Sequence, residues 1–256
     1  MSKLAKEDKF LDLSDYGRSL GSILAKRLKN TRFTPIHVTF LFGICGLFAA
    51  ICILKESYLL AGFLLILKSI IDAADGELAR LKKKPSYSGR YLDSLFDIIL
   101  NFVFFFIICY KTDSNYLLAF IAFFCCQLQG TLYNYYYVIL RNKSIGGDTT
   151  SKIFEYKTPK ALAGEKQKTV TILFFCYLLF YGVFDKIIHF MDKKAYLTLQ
   201  FPNLFMTFLS IYGLGFQLLI IAGMLTFNLI EFIIPFFIIY STFIFVLIGI
   251  RKIFLK

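Results

Sequence analysis

The chain has 256 residues, 57% of them hydrophobic and 18% charged, with a net charge of +12. So few charges, beside several apolar runs long enough to cross a bilayer, exclude a soluble domain and point to a multi-pass membrane protein. Lys and Arg flank the apolar runs instead of forming one patch. The positive charge therefore reads as cytoplasmic loops meeting anionic lipid, not as nucleic-acid binding.

Residues 1–35 are charged throughout, and no cleavable signal is apparent. Within them, Phe10, Leu13, Tyr16, Leu20, Ile23, Leu24 and Leu28 recur at helical steps beside Arg18, Lys26, Arg27 and Lys29. That pattern predicts an amphipathic helix on a membrane surface. Seven apolar stretches follow, at about 36–54, 57–79, 91–110, 115–140, 169–190, 203–226 and 229–250. Segments 1–35, 80–90 and 141–168 carry eight, five and seven Lys/Arg, against one, one and three in the intervening connections. The positive-inside rule places the first three on the cytoplasmic face. Seven full spans would then put Arg251, Lys252 and Lys256 outside, against the same rule. The expectation is an all-α transmembrane bundle of six core spans plus one further apolar segment, with residues 1–35 interfacial and 36–256 one transmembrane domain.

Several other features are bland. Cys45, Cys52, Cys109, Cys125, Cys126 and Cys176 all lie inside apolar runs and read as small hydrophobes. The sequon Asn142-Lys143-Ser144 falls in a loop assigned to the cytoplasm and is read as coincidence. Tyr133, Tyr135, Tyr136 and Tyr137 read as an interfacial aromatic belt.

Residues 72–97 are different. Asp72 and Asp75 stand three apart, Asp93 and Asp97 four apart, so each pair falls on one helix face. One pair ends the second span and the other opens the third. A short basic linker, with Pro85 and Gly89 as turn residues, brings all four carboxylates together at the membrane edge. Four adjacent carboxylates need countercharge. Oxygen-only ligands favour Mg²⁺, Mn²⁺ or Ca²⁺, and two such ions can clamp a pyrophosphate. Gly76 and Ala79 remove bulk so that a ligand can approach the backbone, Arg80 offers a planar fork for phosphate, and Gly89 leaves similar room. Lys68, one turn before Asp72, is placed to neutralise or orient that carboxylate. The bland alternative is that these acids and Arg80 pair with Lys82, Lys83, Lys84 and Arg90.

The stretch resembles the signature of the CDP-alcohol phosphotransferase family, Asp-x2-Asp-Gly-x2-Ala-Arg-x8-Gly-x3-Asp-x3-Asp, at every fixed position. The Thr34-Pro35…Thr39 entry to the first span extends the likeness loosely. The resemblance implies transfer of a substituted phosphate from a CDP-alcohol to a second alcohol, with release of CMP. It implies two Mg²⁺ or Mn²⁺ ions on Asp72, Asp75 and Asp93, with Asp97 near the metals as general base. Gly76, Ala79, Arg80 and Gly89 would frame the cytidine and pyrophosphate, Ser86 would contact the nucleotide, and Pro35 to Val38 would border it. It also implies a homodimer. The first choice of donor is CDP-diacylglycerol, with a polyol or its phosphate as acceptor and Arg90, Arg141 and Lys143 as candidates to hold an acceptor phosphate. The alternative is a soluble CDP-alcohol donating to a lipid hydroxyl. Two rivals from other classes are a divalent-cation transporter, for which Gln127, Gln129 and Asn134 are the remaining polar residues, and a structural scaffold.

Overall fold

A computed structural model describes residues 8–144, 155, 157–198 and 200–255. The side chains of Lys143 and Ser144 lie outside the described residues. The described chain is helical, without a strand. A 3₁₀ turn at Leu13–Asp15 precedes α1 (Arg18–Leu28), α2 (Pro35–Leu54), α3 (Tyr58–Lys82), α4 (Tyr87–Lys111), α5 (Tyr116–Ser144) and α6 (Gln167–Met191). The rest is α7 (Asn203–Leu209), α8 (Leu214–Thr226), α9 (Ile233–Tyr240) and α10 (Phe243–Phe254).

Five segments are long and apolar enough to cross a membrane: α2, α4, α5, α6 and the α9–α10 stretch Ile230–Phe254. The α7–α8 pair, bent by 52°, makes a sixth if it is one span. α3 has the length, but Lys68, Asp72 and Asp75 interrupt its apolar run.

Local chemistry fixes the ends nearest the acids. Thr34 accepts from the His37 N–H and His37 accepts from the Thr34 N–H, with Pro35 in the first turn of α2. α3 stops at Lys83, which is left-handed with φ 51°. The Ser86 hydroxyl caps α4 by accepting from the Gly89 N–H at 2.8 Å. Gly89 thus lies inside the first turn of α4, and the chain turns at Lys83–Pro85 instead. α3 and α4 also run past the apolar stretches into the charged linker, because caps rather than hydropathy end them.

The N-terminal segment is packed into the bundle. α1 lies on α3, where a Cβ at Gly21 would meet the Ala74 nitrogen at 2.9 Å. Leu24 and Leu28 pack into the α2–α3 core, while Leu20 and Ile23 are exposed beside the basic residues. The predicted apolar stripe is therefore divided between the bundle and the outside. Ahead of α1, Ser14 sits on the bend before α8, where a Cβ at Gly215 would fall 1.9 Å from the Ser14 carbonyl oxygen.

α4 and α5 run antiparallel, with Phe102 against Phe123 and Phe106 against Tyr116. α5 and the last segment run parallel: Gln129 donates to the Phe237 carbonyl at 3.1 Å, and Tyr136 shares Asp192 with Arg251. α6 behaves differently. Its first half packs on Tyr91, near the start of α4, through Phe174 and Tyr177. Its end, at Asp192, accepts from Tyr136 of α5 and from Arg251 of α10, both at 2.6 Å. The start of α4 and the end of α5 are the same end of the bundle, so α6 lies across that end. The other segments then alternate in direction, and Arg251 and Lys252 return to the end that carries the basic linker.

Cysteines introduced singly at Lys166 and Lys193, both exposed, in a cysteine-free background should react with a membrane-impermeant maleimide from the same side of sealed vesicles. Labelling from opposite sides would mean that α6 crosses.

Candidate functional site

A cavity of about 640 Å³ opens between α3, α4, α5 and α6, with the N-terminal segment and α8 closing it. Asp72, Asp75, Asp93 and Asp97 all line it, and so do Gly76, Ala79, Arg80, Ser86 and Gly89. The antiparallel α3–α4 pair therefore brings every residue singled out from the sequence to one space.

The four acids are held differently. Asp97 accepts from Lys68 Nζ at 2.5 Å, and Lys68 is fully buried with its ammonium 4.9 Å from the Phe42 ring centre. The hydrogen-bond partner of Lys68 is thus Asp97 on α4, while Asp72, one turn away on its own helix, remains an electrostatic neighbour. Asp75 is 8% exposed and accepts from the Thr39 hydroxyl of α2. Asp93 has a buried Oδ1 with no hydrogen-bond partner among the described residues, while Asp72, Asp97 and Asp75 are its electrostatic neighbours. A buried carboxylate oxygen facing three more carboxylates is costly unless a cation completes it.

The donor set fits a hard divalent cation: oxygen ligands only, one of them orphaned. Among the described residues no three of these side chains already converge at ligating distance. Asp75 is turned to Thr39 and Asp97 to Lys68, so ligation would require those two to share or exchange partners.

Among the described residues no ion pair joins Arg80, Lys82 or Arg90 to the four aspartates, against the bland alternative, although Arg80 is an electrostatic neighbour of Asp75. Arg80 is held by Glu77 on its own helix, Nη2 to Oε2 at 2.7 Å. Lys82 donates to the Thr31 and Phe33 carbonyls at 2.9 and 2.6 Å. Arg90 lines the cavity, but its Nη2 donates to both Glu155 carboxylate oxygens and its guanidinium lies 4.6 Å from the Tyr91 ring centre. That charge is thus paired, which weakens it as a holder of an acceptor phosphate. Arg141 also lines the cavity.

The glycines divide. A Cβ at Gly76 would meet only the Arg80 guanidinium, at 3.6 Å, so its missing side chain opens space toward the cavity. A Cβ at Gly89 would meet Ser86 Oγ at 3.2 Å and Ile36 at 3.8 Å. Gly89 therefore makes room for the helix cap more than for a ligand.

The aromatic belt is not formed. Tyr136 is fully buried and donates to Asp192, and Tyr135 is nearly buried with its hydroxyl on the Asp192 carbonyl at 3.2 Å. Tyr133 donates to Asp12 at 2.6 Å and lines the cavity with Tyr137. Each hydroxyl described here finds an internal partner, which an interfacial residue does not need. Gln129 is likewise structural, donating to Phe237 and Ser241 and accepting from Gln217. That deprives a transport pathway of one of its three polar residues, although Gln127 and Asn134 do face the cavity. The six cysteines are free thiols in buried or half-buried positions, as read.

Residues 32–248 match the CDP-alcohol phosphatidyltransferase family. The chain belongs to that family. Among curated proteins, it is similar to the bifunctional IPC transferase and DIPP synthase of Aquifex aeolicus, 37% identical over 73 residues, which is 28% of this chain and 17% of that protein. The enzymes of the same name from Thermococcus kodakarensis and Archaeoglobus fulgidus are 35% identical over 91 residues and 34% over 93. Each match covers 36% of this chain and spans 21% and 19% of those proteins. The alignment thus covers about a fifth of the length of each relative. The family member described here carries its signature residues on the cavity wall.

One residue that holds the cavity wall gave no signal in the sequence. Glu165, in the loop before α6, accepts from the Ser86 hydroxyl at 2.8 Å and from the Ser88 and Tyr87 N–H groups at 2.7 and 3.2 Å. Only a fold that returns this loop to α4, 79 residues back, reveals it. Burial alone would raise the Glu165 carboxyl, but these donors hold it below the ordinary glutamate range. A lowered native value means the docking is complete above the ordinary glutamate range and is lost as pH falls through the lowered value. At pH 7, Glu165→Gln should open the 157–166 loop about fivefold more often, a loss on the order of 1 kcal/mol, read as faster proteolysis there. Equal cleavage of wild type and variant at pH 7 would show that the carboxylate does not hold the loop.

Proposed function

We propose that this protein transfers a substituted phosphate from a CDP-alcohol to an acceptor hydroxyl and releases CMP. The observation that carries this reading is the gathering of all eight signature residues on one cavity wall, with a buried oxygen of Asp93 lacking a partner among the described residues. In this reading Asp72, Asp75 and Asp93 hold two Mg²⁺ or Mn²⁺ ions, with Asp97 beside them. When bound, the ions would neutralise the pyrophosphate and stabilise the departing CMP.

The remaining work falls to the chain itself. Asp97 takes the proton of the acceptor hydroxyl as its oxygen bonds to phosphorus and the bond from phosphorus to the CMP oxygen breaks. Lys68 fixes that carboxylate in place. Thr39 orients Asp75. Gly76 and Ala79 leave room for the nucleotide, Arg80 takes phosphate in exchange for its Glu77 contact, and Ser86 and Gly89 shape the nucleotide edge at the start of α4. Alignment of two substrates in one enclosed space supplies much of the rate.

CDP-diacylglycerol remains the first choice of donor, with a small polar acceptor. The reverse arrangement, a soluble CDP-alcohol donating to a lipid hydroxyl, is the alternative. The site faces the cytoplasm on the charge argument, since the basic linker and the basic N-terminal segment lie at its end of the bundle. Residues 1–35 serve as the interfacial segment and 36–256 as the transferase domain, and a homodimer belongs to the same reading through the family resemblance.

Asp97→Asn should lower kcat for metal-dependent CMP release by about 10²–10⁴ while CDP-alcohol binding persists. Asn can still accept a hydrogen bond from Lys68 but leaves its buried ammonium without that countercharge, so the melting temperature should fall and turnover is compared where the variant is folded. Normal turnover in this variant would remove Asp97 from the base role.

A further inference from the structure

The family signature leaves one acid of the cavity without a task. Asp185 lies in the apolar run of α6 and lines the same cavity as Asp93 and Asp97. Its electrostatic neighbours are Glu155, Tyr177 and Tyr181. No cation among the described residues is paired with it. Three arginines of the cavity are held by other acids, Arg80 by Glu77, Arg90 by Glu155 and Arg18 by Asp15, and Asp185 is not among the electrostatic neighbours of the fourth, Arg141.

Tyr177, Tyr181 and Asp185 follow one another at four-residue steps, which puts them on one face of α6. The two rings stack with centroids 5.2 Å apart. Tyr181 is pinned to α4, its hydroxyl donating to the Ser94 carbonyl at 3.0 Å, one residue from Asp93. An aromatic wall ending in an uncompensated carboxylate is suited to a ligand cation: the rings attract it through their faces, and the acid gains the charge it lacks. A phosphate or a neutral polyol would leave Asp185 uncompensated.

Resting on the transferase reading above, we propose that Tyr177, Tyr181 and Asp185 form the headgroup subsite and that the headgroup is an amino alcohol carrying a primary or quaternary ammonium. The ammonium enters either as the free acceptor or as the alcohol of a soluble CDP-linked donor. In both cases it lies on the α6 side of the cavity, across from the α3 carboxylates. α6 lying across the end of the bundle is what brings this face over the site.

The test uses the purified full chain with Mg²⁺ and follows CMP release in two arms. One pairs CDP-diacylglycerol with serine, ethanolamine or choline, and with inositol or glycerol phosphate for comparison. The other pairs CDP-ethanolamine or CDP-choline with diacylglycerol. Turnover with an ammonium alcohol in either arm is expected, and the arm identifies its source. Asp185→Asn should raise KM for the ammonium substrate about tenfold or more and leave KM for the co-substrate within about twofold. In the wild type, where folding is not at issue, tetramethylammonium should compete with the headgroup substrate while sodium at equal ionic strength does not. CMP release with inositol or glycerol phosphate only, or no competition by tetramethylammonium, would overturn the subsite and leave the transferase reading standing. No CMP from any pair would overturn the transferase reading itself.

Discussion

The Lys68–Asp97 pair joins the two acid-bearing helices inside an apolar bundle, and the site is arranged around it. Lys68 is fully buried on α3 and Asp97 lies across from it on α4. Neither charge is tolerable there alone, and loss of either partner would leave an uncompensated ion in a low-dielectric interior. The pair sets which faces of α3 and α4 meet. Once they meet, Asp72, Asp75 and Asp93 cannot avoid one another, and one lysine cannot neutralise four carboxylates. That imbalance is what the proposed divalent cations would relieve.

The rest of the bundle serves to hold that charge in place. α2 supplies Thr39 to Asp75 and Phe42 beneath the Lys68 ammonium. The loop before α6 supplies Glu165, whose carboxylate secures the first turn of α4 next to Ser86 and Gly89. At the other side of the same end, Asp192, Arg251 and Tyr136 tie the termini of α6 and α10 to α5. Each of these is a polar contact between distant segments at one end of an apolar bundle. A cavity built this way is lined by charged and polar side chains from distant segments.

Much of the site was legible because its spacing is local. Asp72 and Asp75 share a helix face by arithmetic, as do Asp93 and Asp97, and a short linker forces the two helices to be neighbours. What the sequence hid depends on contacts between distant segments. Hydropathy marks α6 as a possible span, yet apolar length says nothing about tilt, and only its contacts with Tyr91 and Tyr136 reveal that it lies across the bundle. Lys68 was placed beside Asp72 by sequence proximity, whereas the shorter path in space runs to Asp97. Tyr135 and Tyr136 looked interfacial because composition cannot distinguish a tyrosine at a lipid headgroup from one bonded to a buried Asp192. Gly89 was read as a turn residue because a cap such as Ser86 is recognised only once the helix start is known.

The central claim is that the α3–α4 carboxylates form a two-ion centre. Titration of the purified protein with Mn²⁺, followed by electron paramagnetic resonance in the presence of a CDP-alcohol, tests it directly. The account expects two ions per chain with a spin-coupled spectrum, reduced to at most one uncoupled ion in Asp93→Ala. A spectrum of free Mn²⁺ only, or one unchanged by that substitution, would contradict it.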